Sequence, residues 1–315
     1  MSDLILSVLV ITYNQENFIS QTLDSILNQK HGYRYEIVIG EDCSTDGTKR
    51  IVEEYAAKYP DVIRPVYNSP NKGLIRNYFD TLALCKGKYI MECAGDDWWL
   101  SGKVAKQIEF METHPDVGMC YGKSKQFLQE KNKILGKTTG LKRETFDELI
   151  EGNGISALTT CMRKAEFDRY VAEENPMEQA WLMEDYPMWL WFSLRSRICF
   201  LNDTFAVYRV LVNSLSHFEK IDDKAMKFIK SECEIRSYFL HKYKGAACIE
   251  FDMHRELVWL MARNSFYSRK QILEEFEKIN EPMARDRKLF FVCKSSFLFF
   301  LLRMRWRLMD VWGGN

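Results

Sequence analysis

Two adjacent carboxylates, Asp96 and Asp97, directly follow a short apolar stretch that predicts a strand, Tyr89 to Cys93. Like charges repel each other and lose hydration on burial, so a cation or a substrate is needed to compensate the pair. The pattern therefore indicates a metal-binding or proton-transfer site. It is equally compatible with a turn, or with a cap on the helix predicted for Lys103 to Thr113.

The residues before the acid pair predict alternating strands and helices that would position it. Leu4 to Tyr13 is an almost continuous apolar and β-branched run, typical of a strand buried on both faces. Further strands are predicted at Tyr35 to Ile39, Val62 to Tyr67 and Tyr89 to Cys93, and helices at Gln15 to Gln29, from Asp46 onward and at Gly73 to Leu84. This alternation predicts an α/β fold built on a parallel sheet.

The carboxyl ends of three predicted strands carry polar side chains, and two of these ends are acidic. The segments are Thr12-Tyr13-Asn14, Glu41-Asp42-Cys43-Ser44 and Gly95-Asp96-Asp97. Ligands of open α/β sheets bind outside the carboxyl ends of the strands. We therefore expect the three segments to converge on one site.

The regular alternation ends after Asp97. The pattern then predicts strands at Val117 to Tyr121, Ala157 to Arg163, Ile198 to Leu201 and Phe205 to Val210, a hairpin or loop at Lys123 to Leu141, and a helix at Glu184 to Arg197. From Ile221 onward only helices are predicted, at Ile221 to Tyr243, Ala247 to Asn264, Ser268 to Asn280 and Leu289 to Trp312. The chain thus divides into a mixed α/β part and a helical C-terminal extension.

The last predicted helix, Leu289 to Trp312, combines aromatic and aliphatic clusters with a series of arginines. Lys294 and two serines interrupt its apolar core, so it lacks the length and purity of a membrane-spanning helix. Residues 289–312 are typical of a helix that lies on a membrane surface, with arginines toward anionic lipid. A terminal helix docked on its own domain, or a homodimer contact, fits the same pattern.

The composition of the 315 residues limits the partners and the compartment. Lysine plus arginine equals aspartate plus glutamate at 44 each, so no overall positive charge indicates a nucleic-acid partner. The nine cysteines are scattered and form no Cys-x-x-Cys pair, which favours a reducing compartment. The first strand begins too early for a signal peptide. We therefore expect a cytoplasmic protein, peripheral on the cytosolic face of the membrane if the last helix binds there.

The chain lacks both common glycine-rich nucleotide motifs. No Gly-x-Gly-x-x-Gly follows the first strand, and no Gly-x-x-x-x-Gly-Lys-Ser/Thr occurs. A nucleotide would therefore have to be held by side chains and a metal. A divalent cation, Mg²⁺ or Mn²⁺, shared between a carboxylate and a diphosphate is the usual arrangement.

Four motifs in this order resemble the signature of family 2 glycosyltransferases with the GT-A fold, of the bacterial capsule and O-antigen type. They are Val8-Leu9-Val10-Ile11-Thr12-Tyr13-Asn14, Gly40-Glu41-Asp42-Cys43-Ser44-Thr45-Asp46-Gly47-Thr48, Asn71-Lys72-Gly73 with Arg76-Asn77, and Gly87-Lys88-Tyr89-Ile90 leading to Gly95-Asp96-Asp97. The resemblance covers Leu4 to His217. It implies a mostly parallel central sheet with helices on both faces, within a domain of residues 1–218. Residues 1–100 would bind the nucleotide, 101–218 the acceptor, and 219–315 would form the extension.

The resemblance also implies roles for the polar residues at the strand ends. The nucleotide-sugar donor would be bound by Thr12, Tyr13, Asn14, Glu41, Asp42, Arg76 and Asp96, with Glu41 replacing the commoner aspartate. Asp97 would be the direct metal ligand. His217, at the end of a stretch that resembles a loop folding over the donor diphosphate, would be a third metal ligand or a phosphate contact. Arg76 is also compatible with a solvent-facing helix position, and His217 with an exposed loop.

A transferase that uses a hydroxyl acceptor needs a base, since an alkoxide is not available at neutral pH. The family base lies on an acidic pair that opens a helix, and Glu184-Asp185 before Tyr186-Pro187 matches it. We assign the base to Asp185; an N-cap carboxylate is the alternative. The resemblance thus implies a metal-dependent, inverting transferase that moves sugar from a nucleotide sugar, a UDP-sugar by preference, to a saccharide or lipid-linked saccharide in polysaccharide biosynthesis.

Two other functions remain compatible with a fold of this type. A catalytically silent nucleotide-sugar-binding or scaffold protein would keep the fold, but retention of both Asp97 and Asp185 argues against it. A sugar nucleotidyltransferase would carry a glycine-rich Gly-Thr-Arg loop after the first strand, which the sequence following Thr12 lacks.

Overall fold

The computed structural model describes residues 4–211, 223–245, 253–263, 267–279, 282 and 284–312. Its contacts divide the chain into two compact units, Met1–Val212 and Asn213–Asn315.

The first unit begins with four strands that pair in parallel in the order β3-β2-β1-β4. They are β1 (Leu6–Thr12), β2 (Tyr35–Glu41), β3 (Ile63–Tyr67) and β4 (Tyr89–Ala94). All but one residue of β1 is buried, as expected for a strand covered on both faces. The parallel sheet predicted for this half of the chain is confirmed.

Three helices connect these strands: α1 (Ile19–Leu27), α2 (Thr48–Lys58) and α3 (Leu74–Leu82). The first helix begins four residues later than the predicted start at Gln15. Its upstream amides are engaged elsewhere: Gln15 N donates to Thr48 Oγ1 at 2.7 Å, and Glu16 N donates to Asp46 Oδ2 at 3.2 Å. These bonds tie the end of β1 to the start of α2.

The second half of this unit extends the same sheet with mixed strand directions. Its strands are β5 (Trp98–Trp99), β6 (Val117–Leu128), β7 (Lys133–Thr139), β8 (Cys161–Arg163) and β9 (Arg197–Val210). β8 pairs antiparallel with both β4 and β6, β6 pairs parallel with β9, and β5 pairs antiparallel with β9. β6 and β7 form the hairpin predicted for Lys123 to Leu141.

Two sequence-based strand predictions in this half need correction. The strands predicted at Ile198 to Leu201 and Phe205 to Val210 form one strand, β9, because its pairing with β6 continues through irregular register shifts. Of the predicted strand Ala157 to Arg163, only the last three residues form a strand, and Ala157–Thr159 is a 3₁₀ turn.

Four helices accompany these strands: α4 (Lys103–Thr113), α5 (Phe146–Leu149), α6 (Lys164–Glu174) and α7 (Asp185–Arg195). α4 has the predicted bounds. The core cluster to which α1, α2 and α4 contribute is aliphatic and aromatic, and it also holds cysteines as small apolar side chains. Each of the eight cysteines in the described ranges is a free thiol, and seven are buried.

The second unit is helical, as predicted. It contains α8 (Asp223–Lys244), α9 (Met253–Arg263), α10 (Arg269–Phe276), α11 (Ala284–Lys294) and α12 (Ser296–Trp312). The single helix predicted at Leu289 to Trp312 is wrong, because a break at Ser295 separates α11 from α12. Ser295 Oγ accepts a hydrogen bond from Leu298 N at 3.3 Å, which caps the new helix. None of the helices in the described part of the chain is long and apolar enough to cross a membrane.

Candidate active site

The three polar strand ends lie side by side, as the pattern predicted. Thr12 is in register with Glu41 on β2, and Ile11 with Ala94 on β4. Beyond the strands the contact continues, because Asp42 N donates to Thr12 O at 3.1 Å and Gly95 N donates to Ile11 O at 3.0 Å. The carboxyl edge of β2-β1-β4 therefore brings these residues together at one edge of the sheet.

The acid pair lies in a tight turn between β4 and β5, and it does not cap a helix. Asp97 N donates to Ala94 O at 3.0 Å, while Asp97 O accepts from Thr22 Oγ1 at 2.6 Å. The next helix, α4, begins only after Gly102. The cap alternative is thus excluded for the Asp97 side chain, whose Oδ1 instead accepts a 2.7 Å bond from Arg209 N on β9.

Both carboxyls of the acid pair have raised pKa values, since burial and their mutual proximity disfavour the charged form. Asp97 is 3% exposed. Burial, followed by repulsion from Asp96, raises the pKa of Asp97 well above its ordinary range. Burial also raises the pKa of Asp96. A bound divalent cation would restore the ionised form, so metal binding and proton release are coupled here.

Arg209 at the end of β9 is a site residue whose role the sequence did not reveal. Its Nε donates to Asp96 O at 2.6 Å, and its guanidinium carbon lies 4.6, 4.8 and 5.3 Å from the ring centroids of Phe18, Trp98 and Phe127. The side chain is buried, and this burial lowers the pKa of Arg209. Its positive charge lies close enough to both acids to favour their ionised forms.

Three buried side-chain oxygens at this edge have no hydrogen-bond partner within the described residues. They are Thr12 Oγ1, Gln15 Oε1 and Glu41 Oε2. A buried polar atom without a partner costs free energy, so such a cluster indicates a ligand that supplies the missing bonds. Gly95 makes room for two of them, because a Cβ there would lie 2.4 Å from Gln15 Oε1 and 2.7 Å from Thr12 Oγ1. The residues present thus fit a polar ligand beside the acid pair.

Asp42 holds the loop before α3. Its Oδ1 accepts from Asn68 Nδ2 at 2.9 Å and from Lys72 N at 2.8 Å, and its Oδ2 accepts from Gly73 N at 2.8 Å. Gly73 has φ of +79°, a left-handed conformation that favours glycine. Asp42 therefore positions the Asn-Lys-Gly motif, a structural role that its assignment as a donor contact did not include.

Tyr13 and Asn14 continue the chain from Thr12 in different roles. The Tyr13 side chain is 47% exposed just beyond the end of β1. Asn14 has a positive φ, accepts from Thr45 N at 2.8 Å, and donates its own amide to Ser44 Oγ at 3.0 Å. Asn14 thereby fixes the loop after β2 against the end of β1.

Arg76 lies on α3 in ion pairs on the helix surface. Its Nε is 3.0 Å from Asp80 Oδ1, and Lys72 Nζ is 2.8 Å from Asp80 Oδ2. The Arg76 side chain is more than half exposed. Its contacts correspond to the solvent-facing alternative stated for this residue.

A second group of carboxyls consists of Asp185, which is the first residue of α7, and two glutamates that interact with it, Glu184 and Glu92. Asp185 Oδ2 accepts from Asn153 Nδ2 at 3.1 Å and Oδ1 accepts from Tyr186 N at 2.6 Å. The N-cap position belongs to Glu184, whose side chain makes no capping bond. Burial, and then repulsion from Asp185, raises the pKa of Glu184 to about 8.

Glu92 is a further buried carboxyl of this group, and sequence reasoning missed it. It lies in β4, where its Oε2 accepts from Tyr78 Oη at 2.8 Å and its Oε1 accepts from Thr160 Oγ1 at 3.2 Å. Burial raises the pKa of Glu92 to about 7, and repulsion from Asp185 adds to the effect. An acid within an otherwise apolar strand was the available signal. β4 therefore links the two groups of acids. Glu92 within the strand belongs to the Asp185 group, and the Asp96-Asp97 pair follows the end of the strand.

His217 lies outside the described residues. Within the described ranges, no group of three or more potential metal-ligating side chains lies together. The assignments of Asp97 and His217 as metal ligands therefore stay predictions.

Comparison with known proteins gives the family. A family model described as Glycosyl transferase family 2 matches residues 7–171. An uncharacterised protein of Mycobacterium tuberculosis is 29% identical over 216 residues, covering 67% of this chain and 60% of that protein. The chain therefore spans less than two thirds of this relative's length. The UDP-Glc:alpha-D-GlcNAc-diphosphoundecaprenol beta-1,3-glucosyltransferase WfgD of Escherichia coli is 27% identical, covering 69% of this chain and 81% of that protein.

Solved structures of the same architecture agree with this assignment. S. aureus TarS 1-349 in complex with UDP has a TM-score of 0.59 at 18% identity, covering 98% of this chain and 87% of that one. The mannosyltransferase PcManGT from Pyrobaculum calidifontis, in complex with GDP-Man and Mn²⁺, has a TM-score of 0.56 at 14% identity, covering 98% and 88%. At these identities the likeness establishes the fold, and the predicted GT-A type architecture is confirmed. The family match covers more than half of the sequence, and the chain belongs to glycosyl transferase family 2.

Proposed function

We propose that the protein is a metal-dependent, inverting glycosyltransferase that moves a sugar from a UDP-sugar to a hydroxyl of a glycan or lipid-linked saccharide during polysaccharide biosynthesis. The observation that carries this proposal is the acid pair of half-buried Asp96 and buried Asp97, at an edge where three buried side-chain oxygens have no partner within the described residues. The printed name of the E. coli relative, a UDP-Glc-dependent enzyme acting on a diphosphoundecaprenol-linked sugar, supports the donor and acceptor classes.

The nucleotide would bind along the edge formed by β1 and β2. Thr12 Oγ1 and Glu41 Oε2 are the buried oxygens available to base or ribose groups, and the exposed Tyr13 ring offers a face for stacking. The loop before α3 is held in place by Asp42, so this wall of the pocket is formed before the donor arrives. Pre-formed contacts reduce the ordering cost of binding.

Asp97, with Asp96 beside it, would hold Mg²⁺ or Mn²⁺. When bound, the cation supplies electrostatic stabilisation of the negative charge that develops on the departing diphosphate. Arg209 restrains both acids, because its backbone amide donates to the Asp97 carboxylate and its guanidinium donates to the Asp96 carbonyl oxygen. Asp96 would contact the donor ribose or sugar.

Asp185 would accept the proton of the attacking acceptor hydroxyl. The hydroxyl oxygen forms the new bond to the anomeric carbon while the bond to the diphosphate breaks, so a single displacement inverts the configuration. Asn153 and the Tyr186 amide each bond one carboxylate oxygen of Asp185, which fixes its orientation at the start of α7. A base must be held within hydrogen-bond reach of the proton that it removes.

The direct test is release of nucleoside diphosphate from a panel of UDP- and GDP-sugars with Mn²⁺, with and without saccharide acceptors. We expect UDP-sugar turnover in the parent protein, and a loss of about 10²-fold or more in Asp185→Asn. Asp116→Asn is the matched control, because Asp116 is exposed and forms its ion pair with Arg197 on the surface. Parental turnover in Asp185→Asn would refute the base assignment. Tight sugar-nucleotide binding without turnover under all conditions would favour the silent binding protein instead.

A further inference from the structure

The outward side of α12 is apolar, the reverse of an ordinary surface helix. Large side chains on this side are strongly exposed: Phe297 68%, Leu298 38%, Phe300 58%, Leu301 44% and Met304 42%. At 100° per residue they span an arc of about 160°. Only Arg305 adds an exposed charge among residues 296–305.

The inward side of α12 is already committed to the helical unit. Phe299 is 5% exposed within the core of that unit, and Leu302 packs against the same core. Arg303 is held inward, where it donates to the carbonyl oxygens of Ala262 at 3.1 Å and Tyr267 at 2.7 Å. The helix therefore cannot rotate to hide its outer side without breaking these contacts.

The neighbouring helix α11 exposes positive charge. Its exposed cations are Arg285, Arg287, Lys288 and Lys294. Its one acidic residue, Asp286, is fully buried and bonds Arg255 and Trp259, each at 3.0 Å. Phe291 is 69% exposed among these cations. The outer side of α11 thus combines an aromatic side chain with a net positive charge.

We propose that these exposed side chains of α11 and α12, termed the α11–α12 face, bind the surface of an anionic phospholipid bilayer. The apolar side chains would enter the acyl boundary while the cations meet lipid phosphates, an arrangement typical of interfacial helices. An apolar surface of this kind marks an interaction site. A symmetric contact between two copies would bring like-charged α11 surfaces together, so charge complementarity favours the bilayer. This inference is independent of the sugar-transfer chemistry proposed above.

Co-sedimentation of the full chain with lipid vesicles tests the proposal. We expect binding to vesicles of phosphatidylcholine mixed with phosphatidylglycerol, weaker binding to phosphatidylcholine alone, and a decrease in binding as salt rises. Phe297→Ser with Phe300→Ser should reduce binding about tenfold or more. Both side chains are exposed, so the fold should survive, which circular dichroism checks. Leu141→Ser is the matched control, since Leu141 is 59% exposed in the other unit.

A charge variant gives a second, independent readout. Lys288→Gln with Lys294→Gln should weaken binding to the phosphatidylglycerol vesicles and flatten the salt dependence. Arg50→Gln, at an exposed position of α2 in the other unit, should do neither. Absence of vesicle binding by the parent chain overturns the proposal, and so does binding that all these variants leave unchanged. A homodimer in sedimentation equilibrium that Phe297→Ser with Phe300→Ser dissociates, without vesicle binding, would assign the face to a second copy.

Discussion

Replacing Glu92 with glutamine should change how the stability of the Met1–Val212 unit depends on pH. In the folded protein the pKa of Glu92 is about 7, raised by burial from its ordinary value of 4.5. Between these two values the folded state binds more protons at this position than the unfolded state. Its contribution to stability therefore falls as the pH rises from 4.5 to 7. At about 1.4 kcal/mol per tenfold change in proton affinity, the loss amounts to about 3 kcal/mol.

The Glu92→Gln variant cannot ionise, so it should avoid this loss. Its amide can still bond Tyr78 and Thr160, because both hydroxyls either donate or accept. Urea denaturation at about pH 4 and about pH 8 measures the free energy of unfolding. The difference between variant and parent should shift in favour of the variant by about 3 kcal/mol at the higher pH.

Glu36 provides a matched control of opposite sign. It is 6% exposed, as Glu92 is, and lies in β2, which is separated from β4 by β1 in the same sheet. Burial opposes its ionisation, but hydrogen bonds from Ser7, Arg64 and the Lys86 amide outweigh burial and lower the pKa of Glu36. This carboxylate stabilises the fold above its unfolded pKa and loses that effect as the pH falls, so Glu36→Gln should be destabilising at about pH 8. Equal pH dependence in the parent and Glu92→Gln would refute the reasoning.

Three further substitutions probe the carboxyl edge of β2-β1-β4. Gly95→Ala places a Cβ 2.8 Å from the Thr12 Cβ and should lower both UDP affinity, measured by calorimetry, and thermal stability; unchanged affinity would count against the pocket. Asp42→Asn turns an amide donor toward the Gly73 or Lys72 amide and should cost about 1–3 kcal/mol in urea unfolding; a neutral effect would contradict the loop role. Arg209→Lys cannot keep the stacked, multiply bonded guanidinium and should cost about 1–3 kcal/mol and lower turnover; parental values in both assays would remove Arg209 from the site.

Local sequence patterns predicted the sheet edge but not the contacts that complete it. The runs that end at Thr12, Glu41 and Ala94 are apolar and bounded by polar residues, and parallel strands place their carboxyl ends together. The pairing of β5 with β9 joins residues more than a hundred positions apart. Periodicity describes the face of one element and says nothing about such partners. Arg209 therefore looked like part of a strand and loop, although it is bound to the acid pair.

The same limit explains why Glu92 was missed and the final helix was predicted as one element. An acid in an apolar strand gains its chemical meaning from Tyr78, Thr160 and Asp185, which come from three other segments. In the C-terminal extension, hydrophobicity continues across Ser295, so the pattern alone favoured an unbroken helix. The break lies at Ser295, whose hydroxyl accepts a bond from Leu298 N in the first turn of α12.

The most direct measurement of the central claim is calorimetric titration of UDP into the protein with and without Mn²⁺. The account predicts that Mn²⁺ strengthens UDP binding in the parent and in Asp116→Asn, and that Asp97→Asn abolishes this strengthening. The circular dichroism spectrum of each variant should match that of the parent. If Mn²⁺ strengthens UDP binding in Asp97→Asn as much as in the parent, Asp97 does not hold the metal, and the assignment of the acid pair is wrong.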